Sequence, residues 1–180
     1  MYRDRAGWIV EAIAATPPLR EAADAQAKLW LGDGYDNWVD MAARDGDPGA
    51  QALLNFVRPL VTPRDMDHIL RRRATLTRQW QQFLAATPVL LLPVSAELCF
   101  PDQLDIQDAA SFQRVWQAQL TQLALPFFGL PALTVSTAMA GRGCVGVQIV
   151  SRRFREDLCL AAGEAIESQG VPAAPVTPRR

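Results

Sequence analysis

The pattern of hydrophobic and polar positions divides the chain into two parts. Residues 1–86 follow mainly the helical period, after a short opening strand over residues 7–12. An Ala-rich segment over residues 19–30 predicts one helix, residues 37–44 predict a weaker one, and residues 45–49, rich in Gly, Asp and Pro, predict a loop. We therefore expect the first part of the chain to be mainly helical.

The most regular helical pattern begins at residues 62–65. Thr62 can cap the free N–H groups of a helix, and Pro63 suits its first turn. The apolar residues that follow recur close to every 3.6 positions, which predicts one buried stripe. They are Met66, Ile69, Leu70, Leu76, Trp80, Phe83 and Leu84. The arginines at 71–73 and 78 fall mainly on other faces, which favours a solvated helix surface over a nucleic-acid site.

Residues 87–170 alternate strand and helix patterns. The continuous apolar run at residues 89–94 predicts a strand covered on both faces. One helix should follow, with a face formed almost without a break by Phe112, Val115, Trp116, Gln119, Leu120 and Leu123. Strands at residues 133–137 and 145–150, joined by a glycine-rich turn, lead to a closing helix over residues 156–168. This order predicts a layered α/β unit with a few strands of a mixed sheet and flanking helices.

Composition fits one packed domain. The chain has 180 residues, of which 49% are hydrophobic and 21% charged, and its formal net charge of -1 gives no positive field for nucleic acid. Apolar runs such as residues 89–92 are too short to span a membrane, and residues 1–5 are not followed by an apolar secretory segment. We expect a cytoplasmic protein without nucleic-acid or membrane partners, and a flexible tail at residues 171–180.

Metal and cofactor sites are not expected from the sequence. Three cysteines and the single histidine, His68, argue against a disulfide framework or a zinc site, and turn formation explains the carboxylates in the loops. The string Gly-Arg-Gly-Cys-Val-Gly at residues 141–146 matches the glycine pattern of dinucleotide-binding loops. It runs into a strand rather than into a helix N-terminus, so it predicts a hairpin turn and no cofactor.

The sequence contains few candidates for a catalytic nucleophile. No serine sits in a G-x-S-x-G turn, and the sequence leaves open a Cys–His pair formed by folding. Gln119 interrupts an apolar stripe, so the predicted helix points its amide inward, where the amide needs partners. Both a structural glutamine bonded to backbone and a polar contact in a substrate pocket remain open for this residue.

Over nearly its whole length the chain resembles the C-terminal part of the amidase signature family, serine hydrolases that cut carboxamide C–N bonds. The resemblance is carried by Gly-Leu-Pro-Ala-Leu-Thr-Val at residues 129–135, Cys-Val-Gly-Val-Gln-Ile-Val at residues 144–150 and the closing segment over residues 153–167. Residues 7–11 with the following Pro-Pro pair are similar to the segment after the family's catalytic core. Cys144 stands where the family usually has proline, and Ser151 where glycine is common.

The resemblance implies an α/β fold, with residues 1–180 as a single partial domain, mainly helical over 1–86 and α/β over 87–170. It also implies a wall of the substrate pocket, for which the candidate residues are Gln119, Phe127, Phe128, Glu97 and Phe100. No catalytic residue transfers to this sequence. The family uses a lysine, a bridging serine and a nucleophilic serine in a Gly/Ser-rich stretch, whereas Lys28 is the only lysine here and no two serines are adjacent.

Two hypotheses follow. In the first, the chain is the C-terminal segment of an amidase, non-catalytic by itself, and meets a small-molecule amide only when the missing N-terminal half is supplied. In the second, it is a free-standing, non-catalytic binding or scaffold domain derived from the amidase fold. We also expect an exposed sheet edge or apolar patch that favours self-association.

Overall fold

The computed structural model describes residues 2–3, 7–32, 34–60, 65–141 and 143–170. It confirms the α/β class. The helices are α1 (Arg20–Gly32), α2 (Tyr35–Asp45), α3 (Pro48–Val57), α4 (Met66–Ala86), α5 (Leu104–Gln107), α6 (Ala109–Ala118), α7 (Leu120–Phe128) and α8 (Glu156–Glu167), with a 3-10 turn at Arg58–Leu60. The strands are β1 (Tyr2–Arg3), β2 (Ile9–Val10), β3 (Val89–Pro93), β4 (Ala132–Ala140) and β5 (Gly143–Ser151).

The main sheet has the strand order β3-β5-β4. β4 and β5 form the predicted hairpin through the turn at Gly141, whose φ of 61° suits glycine. β3 pairs with the other side of β5, from Val89 opposite Ser151 to Pro93 opposite Val147. The sequence predicts a mixed sheet, whereas both pairings among these three described strands are antiparallel. β3 and β4 each run against the central strand β5.

Helices cover the two faces of the sheet unequally. On one face, Val150 joins a large core that α1, α4 and α7 form together. On the other face, Ile149 packs with Cys159 and Ala162 of α8. The prediction that β3 is covered on both faces is wrong at Leu91: Val89 packs with the α8 cluster, but α8 lies mainly on β4 and β5, and Leu91 is 46% exposed.

The helical core confirms most of the predicted stripe on α4. Ile69, Leu76, Trp80 and Leu84 are buried, and the ring centroids of Trp80 and Phe128 lie 5.1 Å apart. Alanines on α1, which is the predicted Ala-rich helix, present little bulk to α7 and allow the two helices to pack closely. The prediction that Leu70 belongs to the stripe is wrong, since it lies one residue, about 100° of helix rotation, from Ile69 and is largely exposed.

Other boundaries differ from the prediction in ways that local chemistry explains. The predicted loop at residues 45–49 is only a short connection, because Asp47 caps α3: its carboxylate accepts hydrogen bonds from the N–H of Gly49 at 2.8 Å and of Ala50 at 3.3 Å. Pro48 occupies the first turn of α3. The proposed Thr62 cap and the tail at residues 171–180 lie outside the described residues.

The opening strand is shorter than predicted, and one predicted helix is divided. Only Ile9–Val10 forms a strand, paired antiparallel with Tyr2–Arg3. The helix expected to run through Gln119 separates there into α6 and α7. The break arises because Gln119 leaves the helical conformation, with a φ of -96° and a ψ of 19°.

Candidate functional site

The loop after β3 is bound against the junction of α6 and α7. The N–H of Ala96 donates to the carbonyl of Ala118 at 2.8 Å, and the hydroxyl of Thr121 donates to the carbonyls of Pro93 at 3.1 Å and Val94 at 3.2 Å. The side-chain amide of Gln122 also donates to the Val94 carbonyl, at 3.0 Å. These bonds fix the loop where the resemblance placed a pocket wall.

Sequence reasoning missed Thr121 and Gln122. Their local signal was the pair of polar residues in the first turn of α7, directly after Gln119. The pattern could show that they lie at a helix start, but not that they contact a strand end 27 or 28 residues earlier in the chain.

Three of the five candidate pocket residues lie on these two connected segments. Glu97 and Phe100 belong to the loop, and Gln119 lies half-buried at the junction. The amide side chain of Gln119 makes no hydrogen bond to any described residue, so its polar atoms are available to a ligand or to water. The same loop reaches the β4–β5 hairpin, where the Cys99 sulfur lies 2.9 Å from the position that a Cβ on Gly143 would take.

Glu97 is engaged by Arg114 on α6. Its two carboxylate oxygens accept from Arg114 Nε at 3.1 and 3.0 Å, and Arg114 Nη2 donates to Oε2 at 2.6 Å. This hydrogen bonding holds the pKa of Glu97 below its usual range and raises the pKa of Arg114. Glu97 is therefore an ionised carboxylate with a charged partner, which suits orientation of the loop better than proton abstraction.

Phe127 and Phe128 lie apart from this surface. Both rings are fully buried in the helical core, with their centroids 5.8 Å apart in an edge-to-face arrangement. Their backbone carbonyls accept hydrogen bonds from arginines: Arg73 Nε donates to Phe127 at 2.6 Å, and Arg153 Nε donates to Phe128 at 2.9 Å. Both rings thus stabilise the core, and their role in a pocket wall stays a prediction.

A separate open groove of about 490 Å³ runs between α1 and α4. It holds the only lysine and the only histidine of the chain, together with a charged pair. Arg72 Nε donates to Glu21 Oε1, and Arg72 Nη2 donates to Glu21 Oε2 at 2.9 Å. The hydrogen bond from Arg72 is the main reason that the pKa of Glu21 lies below its ordinary value.

This groove does not assemble a hydrolytic relay. Lys28 Nζ lies 3.7 Å from Asp65 Oδ2, and the described lining includes neither a serine nor a cysteine. The Cys–His pair left open by the sequence is therefore not formed around His68 in the described part of the chain. A lysine must have a serine hydroxyl within hydrogen-bond reach to act as its base.

The buried residues Ser151 and Cys159, whose side chains could act as nucleophiles, have structural roles. The hydroxyl of Ser151 donates to the Pro88 carbonyl at 2.8 Å and ties the end of β5 to the start of β3. Burial raises the pKa of the Cys159 thiol, which disfavours the reactive thiolate. Across the described residues, no group of three or more His, Cys, Asp or Glu side chains is placed to hold a metal ion, and no helix has the length and apolarity to cross a membrane.

Curated relatives with similar sequences are amide hydrolases. The indoleacetamide hydrolase of Bradyrhizobium diazoefficiens (strain JCM 10833 / BCRC 13528 / IAM 13628 / NBRC 14792 / USDA 110) is 33% identical over 93 residues, which cover 51% of this chain and 18% of that protein. The indoleacetamide hydrolase of Bradyrhizobium japonicum is 30% identical over 93 residues, covering 51% of this chain and 20% of its own length. No family model matches the sequence.

Solved structures extend the similarity to most of the chain. A 6-aminohexanoate cyclic dimer hydrolase in complex with substrate superposes with a TM-score of 0.63 at 17% identity, over 88% of this chain and 37% of that chain. One subunit of the glutamyl-tRNA(Gln) amidotransferase from Thermotoga maritima superposes with a TM-score of 0.56 at 18% identity, over 88% of this chain and 34% of that chain. The chain has part of an amidase-signature fold.

The resemblance to the amidase signature family is thus confirmed, at partial coverage. The chain spans about a fifth of the length of the curated relatives it matches and just over a third of the solved enzymes. Those longer proteins therefore contain extensive sequence that has no counterpart in these 180 residues.

Proposed function

We propose that this chain is the C-terminal segment of an amidase-signature hydrolase, which supplies scaffold and part of the substrate pocket and does not hydrolyse amides by itself. One observation carries the proposal. Lys28, the only lysine available to start a Lys–Ser–Ser relay, lies beside Asp65 in a groove whose described lining contains no serine. The lysine and the serine pair would come from a segment outside this sequence.

The reaction of the family defines what that segment has to provide. A serine oxygen forms a bond to the amide carbonyl carbon, and the serine proton passes through the bridging serine to the leaving nitrogen. The C–N bond then breaks, the amine or ammonia departs, and water releases the acid from the acyl-serine. Donors aimed at the carbonyl oxygen stabilise the negative charge that develops on it.

This chain would contribute the wall around the loop after β3 and the α6–α7 junction. The amide of Gln119 is half-buried and has no described partner, so it can donate to or accept from an amide substrate. Thr121 and Gln122 hold the loop in place beside it. Glu97 stays paired with Arg114, so it would not act as the general base.

The substrate class that this proposal favours is a primary carboxamide on an aromatic or other apolar group. It rests on the two relatives named for indoleacetamide hydrolysis. Aliphatic amides, ureido compounds and glutaminyl-type amides are the competing classes. A panel with one member of each class would rank them by the rate of ammonia release.

The test is complementation in trans. The hydrolase of Bradyrhizobium diazoefficiens is prepared without the region that matches this chain. The readout is ammonia release from indole-3-acetamide. As a positive control, the hydrolase's own matched region, added as a separate polypeptide, restores that release. Adding this 180-residue chain instead should restore release, and the chain by itself should give none.

Hydrolysis by the isolated chain, abolished when one of its own serines is replaced, would overturn the proposal. Failure of the chain to restore any release in the same assay would also count against it, and would favour the free-standing scaffold domain.

A further inference from the structure

The loop after β3 is bonded to the helices on both sides of Gln119. Before Gln119, the carbonyl of Ala118 accepts a hydrogen bond from the N–H of Ala96 at 2.8 Å. After Gln119, the hydroxyl of Thr121 donates to the carbonyl of Val94 at 3.2 Å. Gln119 therefore lies between two tethers, and the position of the loop relative to its amide depends on both of them.

The second tether is a hydrogen-bond clamp that Thr121 and Gln122 form in the first turn of α7. The single hydroxyl proton of Thr121 is shared between the carbonyls of Pro93, at 3.1 Å, and Val94. The side-chain amide of Gln122 adds a second donor to the Val94 carbonyl at 3.0 Å. Pro93 is the last residue of β3 and has no N–H with which to continue the ladder, so the clamp fixes the direction in which the loop leaves the strand.

Thr121 is the part of the clamp that is better shielded from water. Its side chain is half-buried, whereas Gln122 is exposed and its hydrogen bond competes with water. If the hydroxyl of Thr121 is removed, two main-chain carbonyls each lose a donor. Such carbonyls regain hydrogen bonds by turning toward water, and this turn would move the loop away from Gln119.

We propose that Thr121 is a positioning residue that sets the substrate selectivity of the candidate pocket. It acts through the loop, which carries Glu97 and Phe100, by keeping the loop close enough to Gln119 to contact a bulky acyl group. This inference rests on the proposed function and names the residue that controls the size of the group accepted next to the amide. A small amide does not extend to the loop, so only bulky substrates lose binding energy when the clamp is loosened.

The first measurement is amide hydrogen exchange of the 180-residue chain, followed by nuclear magnetic resonance. Thr121→Val removes the hydroxyl and keeps the shape of the side chain, and the N–H of Ala96 should then exchange at least about fivefold faster. Thr121→Ser keeps the hydroxyl and should restore slow exchange. The matched control is Thr137→Val on β4, whose hydroxyl donates to the strand carbonyl of Val145 at 3.3 Å and to none in the loop, and which should leave this exchange unchanged.

The second measurement is kinetic and adds each variant to the truncated hydrolase of Bradyrhizobium diazoefficiens. Thr121→Val should raise KM for indole-3-acetamide by at least about fivefold and change kcat by less than about twofold, because contact with the loop is lost equally from ground state and transition state. Binding of acetamide, measured as a substrate or as a competitor, should change by less than about twofold. Thr121→Ser and Thr137→Val should match the parent chain for both amides.

Gln122→Leu is a second test of the clamp at an exposed position, where the substitution does not endanger folding. It removes the other donor to the Val94 carbonyl and should shift selectivity in the same direction as Thr121→Val, by a smaller factor. Thermal melting of each unbound variant separates a change in selectivity from a loss of folding.

The outcomes distinguish this inference from the proposed function. Unchanged exchange of the Ala96 N–H in Thr121→Val would overturn the clamp. A loss of kcat alone, or an equal loss of binding for both amides, would overturn the assignment of selectivity to Thr121. If the parent chain restores ammonia release and Thr121→Val keeps its selectivity, this inference is refuted and the proposed function stands. If the parent chain restores no release, both are refuted.

Discussion

The helical core and the outer strand of the sheet belong to one chain but differ in how completely their apolar side chains are enclosed. Trp80, Phe127 and Phe128 are fully buried between α1, α4 and α7. On β3, which begins shortly after the end of α4, Leu91 remains half exposed. The difference shows that the helical core is closed by elements of this chain, whereas the side chain in the middle of β3 is only half enclosed by them.

Trp80→Ala should give the largest loss of stability. The ring is fully buried against Phe83 and Phe128, so its removal leaves a cavity and should cost about 3–5 kcal/mol in the free energy of unfolding. The matched control is Trp38→Ala on α2, where the side chain is 59% exposed and the cost should stay below about 1 kcal/mol. Urea unfolding measures both, and equal losses would show that the helical core is not closed.

Two adjacent leucines on β3 test the two faces of one strand. Leu90→Ala should cost about 2–5 kcal/mol, because the side chain belongs to the helical core. Leu91→Ala should cost less than about 1 kcal/mol in the unbound chain, because the side chain is already half exposed. If thermal melting ranked them in the opposite order, the uncovered position of Leu91 would be refuted.

Gly146→Ala, in the β4–β5 hairpin, should give the next largest loss of stability. A Cβ at Gly146 would lie 2.5 Å from the carbonyl oxygen of Val135, so backbone has to move, and we expect a cost of about 1–3 kcal/mol. The control is Gly32→Ala, where the added Cβ meets only the terminal methyl of Met66, a flexible group that can turn aside. Chemical unfolding of both variants should show the larger loss of stability for Gly146→Ala. Comparable losses would contradict the close packing of the β4 backbone against Gly146 of β5.

Glu21→Gln should have the smallest effect, and one that depends on pH. The ion pair with Arg72 is partly exposed, so its loss should cost up to about 1 kcal/mol at pH 7. Because the pKa of Glu21 is lowered in the folded chain, the paired carboxylate stabilises the fold above its unfolded-state pKa, near 4.5. That stabilisation is lost as the pH falls through the lower folded value.

Melting temperatures across the acid range check the sign of this effect. The difference between the parent chain and Glu21→Gln should shrink steadily below pH 4.5. Asp24→Asn, in the same groove but without a described ion pair, serves as the control and should cost less stability than Glu21→Gln at pH 7. A difference that grew on acidification would contradict the role assigned to Arg72.

The candidate site shows where local pattern was sufficient and where it was not. The residue pattern places Glu97 and Phe100 on a loop and Gln119 on a helix, and the resemblance makes them pocket candidates. The structure brings those two segments into contact through Ala96 and Thr121. The division of the predicted helix at Gln119 could not be foreseen, since the apolar spacing continues through it into α7. Hydrophobic periodicity records which side of a helix is apolar and carries little information about a change of direction.

The sequence by itself determined the α/β class, the stripe of α4, the hairpin of β4 and β5 and the closing α8, because each depends on periodicity or turn residues close together in the chain. It also determined that no adjacent serine pair accompanies Lys28. Only the tertiary structure decided that Phe127 and Phe128 face the core and that Leu91 is uncovered. An apolar run has the same pattern whether its second face meets a helix or solvent, so that distinction depends on elements distant in sequence.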